Sequence, residues 1–424
     1  MGGHLLMSRK ELQRKSVLEL VANKHITLQE ASQRMMLSYR QTLRVYSRFC
    51  AEGDSGLVHG NRGKPSNRAY SASFRKKVIS RYRKRYKPHD LGPTLAAEKL
   101  AQDGLEVDHE TLRRWLCAEG DWYKRRKRKV HRTRRERRGH FGELVQMDGS
   151  HHNWFGRDYE KACLMNLVDD ATGVTMGSMG HQETTAAAMI LLWRWIEKYG
   201  VPLALYCDKK NVYLTTREPT LEEQLACQKP QTAFGRACEK LDIRIIAAHS
   251  PQAKGRVERS NGTYQDRLVK ELSLRGIKTI GTTDQLLQDS FCDELNTKFS
   301  VPPLKEKDFH RSIPKGLRLE DVFSYEEHRT VQNDWVISHN STHYQILKTK
   351  REMPMPKDKV LVRTRLDGSV HLLFKQKELK FRQLKKRELE LRMERSTTRP
   401  TKASKGTSMP QMARKPQADH PWNR

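Results

Sequence analysis

Between Lys124 and Arg138, eleven of fifteen residues are lysine or arginine. A run this charged has no apolar neighbours with which to enter a core, and its side chains repel one another until a polyanion neutralises them. It divides the 424-residue chain into parts that must fold on either side of it. It reads as a linker that tracks phosphates, although a solvated charge run of no specific role has the same composition. The flanking charge is uneven: residues 1–140 carry a formal +20, residues 141–300 carry −2 and residues 301–424 carry +13, for +31 in all. Basic surface gains affinity for nucleic acid by releasing counterions, whereas carboxylates that hold a divalent cation need local negative charge. The pattern therefore suggests binding parts outside and a carboxylate-bearing part inside.

The seven cysteines are odd in number and include no C-x-x-C pair, so neither a disulfide framework nor a zinc knuckle is indicated. The longest apolar run, Ala186 to Trp193, ends at Arg194, short of the ~20 residues of a membrane span. No signal-peptide core opens the chain. These features predict a soluble cytoplasmic protein without a membrane partner.

Periodicity predicts helices on the N-terminal side. Val17, Leu20 and Val21 share a face; Thr27 caps Leu28, Ala31 and Met35; Ser38 caps a helix with Tyr39, Leu43 and Tyr46 on one side. The last two form a helix-turn-helix candidate over 1–60, whose second helix presents Tyr39, Arg40, Gln41 and Arg44 to DNA. A linker at 61–70 follows. A second such unit, 71–120, has a basic helix from Phe74 to Lys87, a helix begun at Thr94, a turn at Gly104, and Asp108 capping Leu112, Trp115 and Leu116. Trp115 is expected in the core, and Arg113 and Arg114 either touch DNA or are merely solvated. The basic linker spans 121–139, with Arg125, Arg126, Lys127 and Arg128 as DNA contacts.

From residue 140 the pattern changes. Strands are predicted at Glu143–Met147, Lys161–Val168, Val174–Met179, Leu203–Cys207 and Ile243–Ala248. Helices are predicted from Glu183 to Tyr199, with Met189, Leu192, Trp193 and Ile196 as its stripe, and around Phe234 to Leu241. Ser250 and Pro251 open a further helix as N-cap and first residue. The order implies a five-stranded mixed sheet with helices packed on it. Beyond a connector at 301–327, alternation around Asn340-Ser341 and Asp367-Gly368 predicts a small β-barrel at 328–384. Residues 385–424 read as a basic, disordered tail.

Asp148 and Asp208 are predicted at strand ends, and Glu258 on the second turn of the helix opened by Pro251. Two aspartates on neighbouring strands and a glutamate on a facing helix can hold two divalent cations about 3.5–4 Å apart for in-line phosphoryl transfer. Oxygen ligands favour Mg²⁺ or Mn²⁺ over zinc. Taken singly, each has a plainer explanation: Asp148-Gly149 as a turn, Asp208 as a helix cap, Glu258 as an ion-pair partner of Lys254.

The segment Ser250-Pro-Gln-Ala-Lys-Gly-Arg-Val-Glu258-Arg-Ser-Asn261-Gly-Thr, with a strand ending in Asp208 and Gln146-Met-Asp148-Gly further back, closely resembles the DDE transposases of the retroviral-integrase superfamily. The bacterial insertion-sequence transposases of the ISNCY type are the most similar, including the tail Gln265-Asp-Arg-Leu-Val-Lys-Glu-Leu272. The resemblance covers nearly the whole chain. It implies a multidomain protein: N-terminal all-α helix-turn-helix units, a central α/β RNase H-like catalytic core at 140–300, and the C-terminal barrel. It further implies Asp148, Asp208 and Glu258 as catalytic and metal-holding residues, with two Mg²⁺ or Mn²⁺ ions per site. The 49 residues between Asp208 and Glu258 exceed the spacing of retroviral integrases and leave an inserted loop, Lys209–Thr232, beside the site.

Lys254, Arg256 and Arg259 are candidate phosphate contacts, and Asn261 a candidate for positioning substrate. His151 and His152 suggest zinc only weakly. Asp169 and Asp170 are rival metal ligands that a hairpin turn explains equally well. The expected function is binding of double-stranded DNA at terminal inverted repeats, followed by metal-dependent cleavage and strand transfer into target DNA, by a homo-oligomer that is at least a dimer on DNA. The alternatives are a DNA-binding repressor or domesticated architectural protein with the core as scaffold, and an RNase H-like nuclease that cuts without joining.

Overall fold

The computed structural model describes residues 6–63, 69–123, 136–215, 217–225, 229–247, 254–349 and 352–384. It divides into two compact units, one of residues 1–88 and 92–123 and one of residues 89–91 and 124–424. The block Arg125, Arg126, Lys127, Arg128 lies outside the described residues, as does the segment 385–424.

The N-terminal unit is helical because its caps are local and strong. Ser8 and Glu11 form a reciprocal capping box at the start of α1 (Arg9–Ala22), and Thr27 and Glu30 repeat it at α2 (Leu28–Met35). Met36 ends α2 in the left-handed region, φ 52°, and Ser38 caps α3 (Tyr39–Glu52). Leu18, Val45 and Leu57 make the small core. The expected face of α3 holds only in part: Tyr46 packs against this core, Tyr39 and Leu43 are exposed, and Thr42 and Val45 are buried. Arg62, expected in a linker, instead belongs to this fold, since its guanidinium grips the buried Glu11 carboxylate at 2.6 Å.

Ser71 caps α4 (Ala72–Arg81), which runs on through a wider turn to Tyr86. Gly92 caps α5 (Pro93–Gln102), which starts one residue before the expected Thr94, and Asp108 accepts from Glu110 N and Thr111 N to open α6 (His109–Ala118). Val78, Leu100, Leu112 and Leu116 are fully buried. Trp115 is only half-buried, edge-on to Tyr70 with the Arg75 guanidinium above its ring.

The second unit is built on a five-stranded mixed sheet in the order β3-β2-β1-β4-β5. Its strands are β1 (Val145–His152), β2 (Ala162–Asp169), β3 (Thr175–Gly180), β4 (Ala204–Cys207) and β5 (Arg244–Ala247). β1, β2 and β3 are antiparallel, while β4 runs parallel to β1 and β5 to β4. The arrangement is compatible with the expected RNase H-like core. β2 is buried along its whole length, as its continuous apolar run requires when both faces are covered.

One face packs against α7 (Thr185–Tyr199) and α9 (Ala233–Lys240); a short α8 (Leu221–Leu225) precedes α9. Trp195, rather than Trp193, is the fully buried tryptophan of α7. Trp193 stacks on Phe323, because α7 is covered on a second side by the chain that follows the core. The other face packs against α10 (Gly255–Arg275), α11 (Ile280–Leu286) and α12 (Cys292–Phe299) through Leu164, Tyr264, Leu268 and Phe291.

The connector is part of the core. Arg311 exchanges two backbone bonds with Val201, His310 accepts from the Trp195 indole, and Val322 at the end of α13 (Leu319–Val322) and Phe323 just after it join the sheet's apolar layer. Gly142 permits this approach: its φ is 75° and a Cβ there would lie 2.5 Å from the His310 ring.

Beyond it come β6 (Ser324–Thr330), β7 (Val336–His339), β8 (Thr342–Ile346), β9 (Lys359–Arg365), β10 (Val370–Phe374), β11 (Lys377–Glu378) and β12 (Phe381–Gln383). Both expected hairpins form, with Asn340, Ser341 and Gly368 at positive φ. The expected barrel does not: among the described residues these strands make an open four-stranded sheet, β11-β10-β9-β6, and an open three-stranded one, β12-β8-β7, sharing one apolar core. Alternation specified a buried face, but closure depends on edge pairing that the pattern does not encode.

Candidate active site

The parallel pairing of β1 and β4 sets Val145 opposite Leu205 and Gln146 opposite Tyr206. Carried two residues further, the same offset levels Asp148 with Asp208 on neighbouring strands, which lie about 4.8 Å apart. Side chains alternate along a strand, so Gln146, Asp148 and Ser150 face α10 while Val145, Met147 and Gly149 face α7. Asp148 is not at a strand end: β1 continues to His152, with Gly149 paired to Met165.

The ammonium of Lys254, the residue before α10, lies 3.1 Å from Asp148 Oδ1 and 2.8 Å from Asp208 Oδ1. Its side chain is 6% exposed, against 18% for Asp148 and 35% for Asp208. Asn261 donates to Asp148 Oδ2 at 3.0 Å and accepts from Asn166, the cross-strand partner of Asp148. Asn261 therefore orients the aspartate from a buried position and does not face solvent. Burial pushes the Asp148 carboxyl above the usual range; the charge and hydrogen bond of Lys254 oppose the shift and the charge of Asp208 adds to it. Burial disfavours the Lys254 ammonium, but the hydrogen bond to Asp208 and the charge of Asp148 outweigh it and raise its pKa.

A further acidic residue, missed in the sequence, stands on the opposite side of β1. The Glu183 side chain, 6% exposed, accepts from Lys210 at 2.6 Å and from the buried Tyr213 hydroxyl at 2.9 Å. Lys210 also lies 3.7 Å from Asp208 Oδ2, linking the two acids. Gly149 makes room for this: a Cβ there would meet Glu183 Oε2 at 2.5 Å. A glycine inside a strand marks a close approach as readily as a turn, and that is the signal the chain carries. The start of the inserted loop thus supplies Lys210 and Tyr213 to the neighbourhood of Asp208.

No family model matches the chain. It is 38% identical to transposase y4bF of Sinorhizobium fredii (strain NGR234) over 332 residues, 78% of this chain and 71% of that protein. The chain belongs to the insertion-sequence transposases. A second relative, the transposase for insertion sequence IS1202 of Streptococcus pneumoniae, is 28% identical over 404 residues, 84% of this chain and 82% of its own. Among solved structures, the HTLV-2 integrase catalytic core domain in complex with magnesium is 22% identical, covering 35% of this chain and 85% of that one at a TM-score of 0.27. The simian T-cell lymphotropic virus intasome in complex with PP2A regulatory subunit B56 gamma is 16% identical, covering 67% and 94% at 0.30. Overlaps this slight leave family membership to the sequence relatives.

The other residues expected to serve this transposase are distributed unevenly. Glu258 is exposed in the first turn of α10, and it shares a face with Lys254 and Asn261, four residues before it and three after. Both of those reach Asp148; Glu258 is not drawn into the cluster. The expected N-cap, Ser250-Pro251, lies outside the described residues. Arg256 turns inward to Asp170 at 2.8 Å, and Arg259 is exposed with its Nε on the Gly255 carbonyl. Lys254 and Arg256, expected on DNA phosphates, are engaged by carboxylates of the sheet, Lys254 by the partly buried Asp148 and Asp208 and Arg256 by the fully buried Asp170.

Asp169 and Asp170 are fully buried and structural: Asp169 accepts from Gly142 N, Thr172 N and the Thr172 hydroxyl, and Asp170 from Gln146, Arg138 N and Arg256. His151 is exposed and His152 packs edge-on to Trp154. Among the described residues there is no group of three or more His, Cys, Asp or Glu placed to hold a metal. The donor chemistry nonetheless suits a hard cation in part. Two carboxylate oxygens, from Asp148 and Asp208, converge on a single positive centre, the Lys254 nitrogen.

On the helical unit, Arg40, Gln41 and Arg44 are exposed on α3 beside Tyr39. On α6, Arg114 is exposed while Arg113 is engaged by Glu110. No helix among the described residues is long and apolar enough to cross a membrane.

Proposed function

We propose that this transposase binds the terminal inverted repeats of its own element, cuts strands at the ends by metal-dependent hydrolysis and joins the freed 3′-hydroxyls to target DNA. Asp148, Asp208 and Glu258 are its acidic set. The observation that carries this reading is the convergence of Asp148 and Asp208 from adjacent parallel strands on one cationic centre. Glu258 joins them by its place in the Ser250–Thr263 segment and on the helix face that carries Lys254 and Asn261.

Asp148 and Asp208 would hold Mg²⁺ or Mn²⁺, two ions with Glu258, and a divalent cation there supplies Lewis-acid activation of the attacking hydroxyl and charge stabilisation of the departing oxygen. The chain's own contribution is orientation. Asn261 and Asn166 fix the Asp148 carboxylate, and Lys210, backed by Glu183 and Tyr213, steadies Asp208.

The helical segments 1–60 and 71–120 act as helix-turn-helix readers of duplex DNA, with Arg40, Gln41 and Arg44 on one recognition helix and Arg114 on the other. The basic block including Arg125, Arg126, Lys127 and Arg128 adds affinity without sequence information, and Arg259 lies against the backbone near the cut. Two ends must be processed together, so the working form is at least a dimer on DNA.

The test is cleavage and joining of duplexes carrying the sequences that flank the gene. Asp148→Asn, Asp208→Asn and Glu258→Gln should each abolish both steps while leaving end binding nearly intact, and wild-type-like cleavage by one of them removes that residue from the set. Arg40→Ala with Arg44→Ala should weaken end binding; unchanged binding would remove α3 as a reader.

A further inference from the structure

Lys254 sits where a positive charge is most needed and where a divalent cation is most expected. The Oδ1 atoms of Asp148 and Asp208 both face its ammonium, while Asp148 Oδ2 is taken by Asn261 and Asp208 Oδ2 faces Lys210 at 3.7 Å. Lys254 is also the residue from which α10 starts, and no side-chain cap bond secures the helix there. Its four-carbon stem is flexible, so the two carboxylates are what keep its charge inside.

We propose that Lys254 is a resident counter-cation: it neutralises Asp148 and Asp208 before metal loads, competes with the divalent ion for their Oδ1 atoms, and passes to a DNA backbone phosphate when displaced. The proposal rests on the reading of Asp148 and Asp208 as metal ligands. Two partly buried carboxylates facing one point repel each other, and the ammonium offsets that repulsion. A divalent cation offers the same oxygens more charge. Its arrival would, however, leave the ammonium buried without an anion, a strongly unfavourable state. A phosphate removes that cost, and lysine binds phosphate well as a point charge. By linkage, DNA then strengthens metal binding and metal strengthens DNA binding by the same factor.

The test measures Mn²⁺ affinity of the full chain by calorimetry and electron paramagnetic resonance, with and without a random-sequence duplex at low salt. Wild type should bind Mn²⁺ weakly alone and at least about fivefold more tightly with the duplex. Lys254→Met should bind Mn²⁺ alone roughly tenfold more tightly than wild type, with the effect of the duplex reduced towards none. Affinity in Lys254→Met equal to or below wild type overturns the competition, and an undiminished effect of the duplex overturns the transfer to phosphate.

Melting curves show whether Lys254→Met folds. If it does not, amine-reactive labelling of wild type, read by mass spectrometry at Lys254, decides the matter. Labelling should be slow without metal, faster with saturating Mn²⁺ and slow again when duplex is added, and a rate indifferent to Mn²⁺ overturns the proposal. Asp148→Asn and Asp208→Asn separate the two ideas. If they lose Mn²⁺ binding while Lys254→Met gains none, only the counter-cation fails; if they keep it, the metal reading itself fails.

Discussion

Two pairs of aspartates lie within a few residues of each other in the sheet, and they are treated in opposite ways. Asp169 ends β2 and Asp170 follows it, both with no exposed surface, and their oxygens accept from backbone amides, a hydroxyl, an amide side chain and Arg256. Asp148 and Asp208 retain 18% and 35% of their side-chain surface and are held chiefly by the tips of lysines, with the Asn261 amide donating to Asp148. The first pair is locked chiefly by backbone amides and short side chains fixed within the fold. The second is neutralised by flexible cations that can leave. A carboxylate in a sheet thus reads as structural or chemical less from its burial than from whether its partners are fixed or exchangeable.

The sharpest way to break this comparison is to remove one charge from each pair. Asp148→Asn should lower cleavage at least about a thousandfold, the several kcal/mol of a lost metal ligand, with melting unchanged. Burial already raises the Asp148 pKa, so losing the charge relieves the fold of a cost. A fall in melting temperature matching the loss of activity would make Asp148 structural after all.

Asp170→Ala should do the reverse, destabilising the protein by about 1–3 kcal/mol because the Gln146 amide, the Arg138 backbone amide and Arg256 lose a buried acceptor. Denaturant titration measures this, and a change within about 0.5 kcal/mol, the range of an ordinary surface substitution, would place Asp170 in the exchangeable class.

A comparable effect is expected at Gly149. The methyl of Gly149→Ala must push Glu183 off its place beside Lys210 and Tyr213, costing about 1–3 kcal/mol by overpacking. Cleavage should fall with it if Lys210 steadies Asp208. Lost stability with untouched kcat would confine Glu183 to packing.

The smallest effect concerns a locked carboxylate elsewhere. Glu11 is held by the Ser8 amide, the Arg62 guanidinium and the His59 amide, with the Ser8 amide the largest cause of a pKa lowered to about 2 from 4.5. A depressed acid contributes stability that is full above pH 4.5 and is lost as pH falls towards about 2. Glu11→Gln should therefore flatten the acid side of the stability curve of the helical unit in that window. Parallel curves for the two proteins would show that the capping box and not the charge holds α1.

Helix starts, hairpin turns and the strands of the central sheet are legible in the chain alone. Ser8, Thr27, Ser38, Ser71, Asp108 and Thr184 each bond an amide two or three residues away, and such contacts are written in neighbouring letters. Asp148, Asp208 and Glu258 stand out by the residues beside them in the chain and not by their surroundings in space. Tertiary packing settles the rest: that β1 pairs with β4 at the offset that levels Asp148 with Asp208, that Lys254 and Arg256 turn inward, and that Glu183 stands behind Gly149. It also brings the connector into the core and leaves the C-terminal strands as two open sheets. The physical reason is range. Register, side-chain direction and edge closure depend on partners far along the chain, and a one-residue slip would have turned Asp148 to the other face of the sheet.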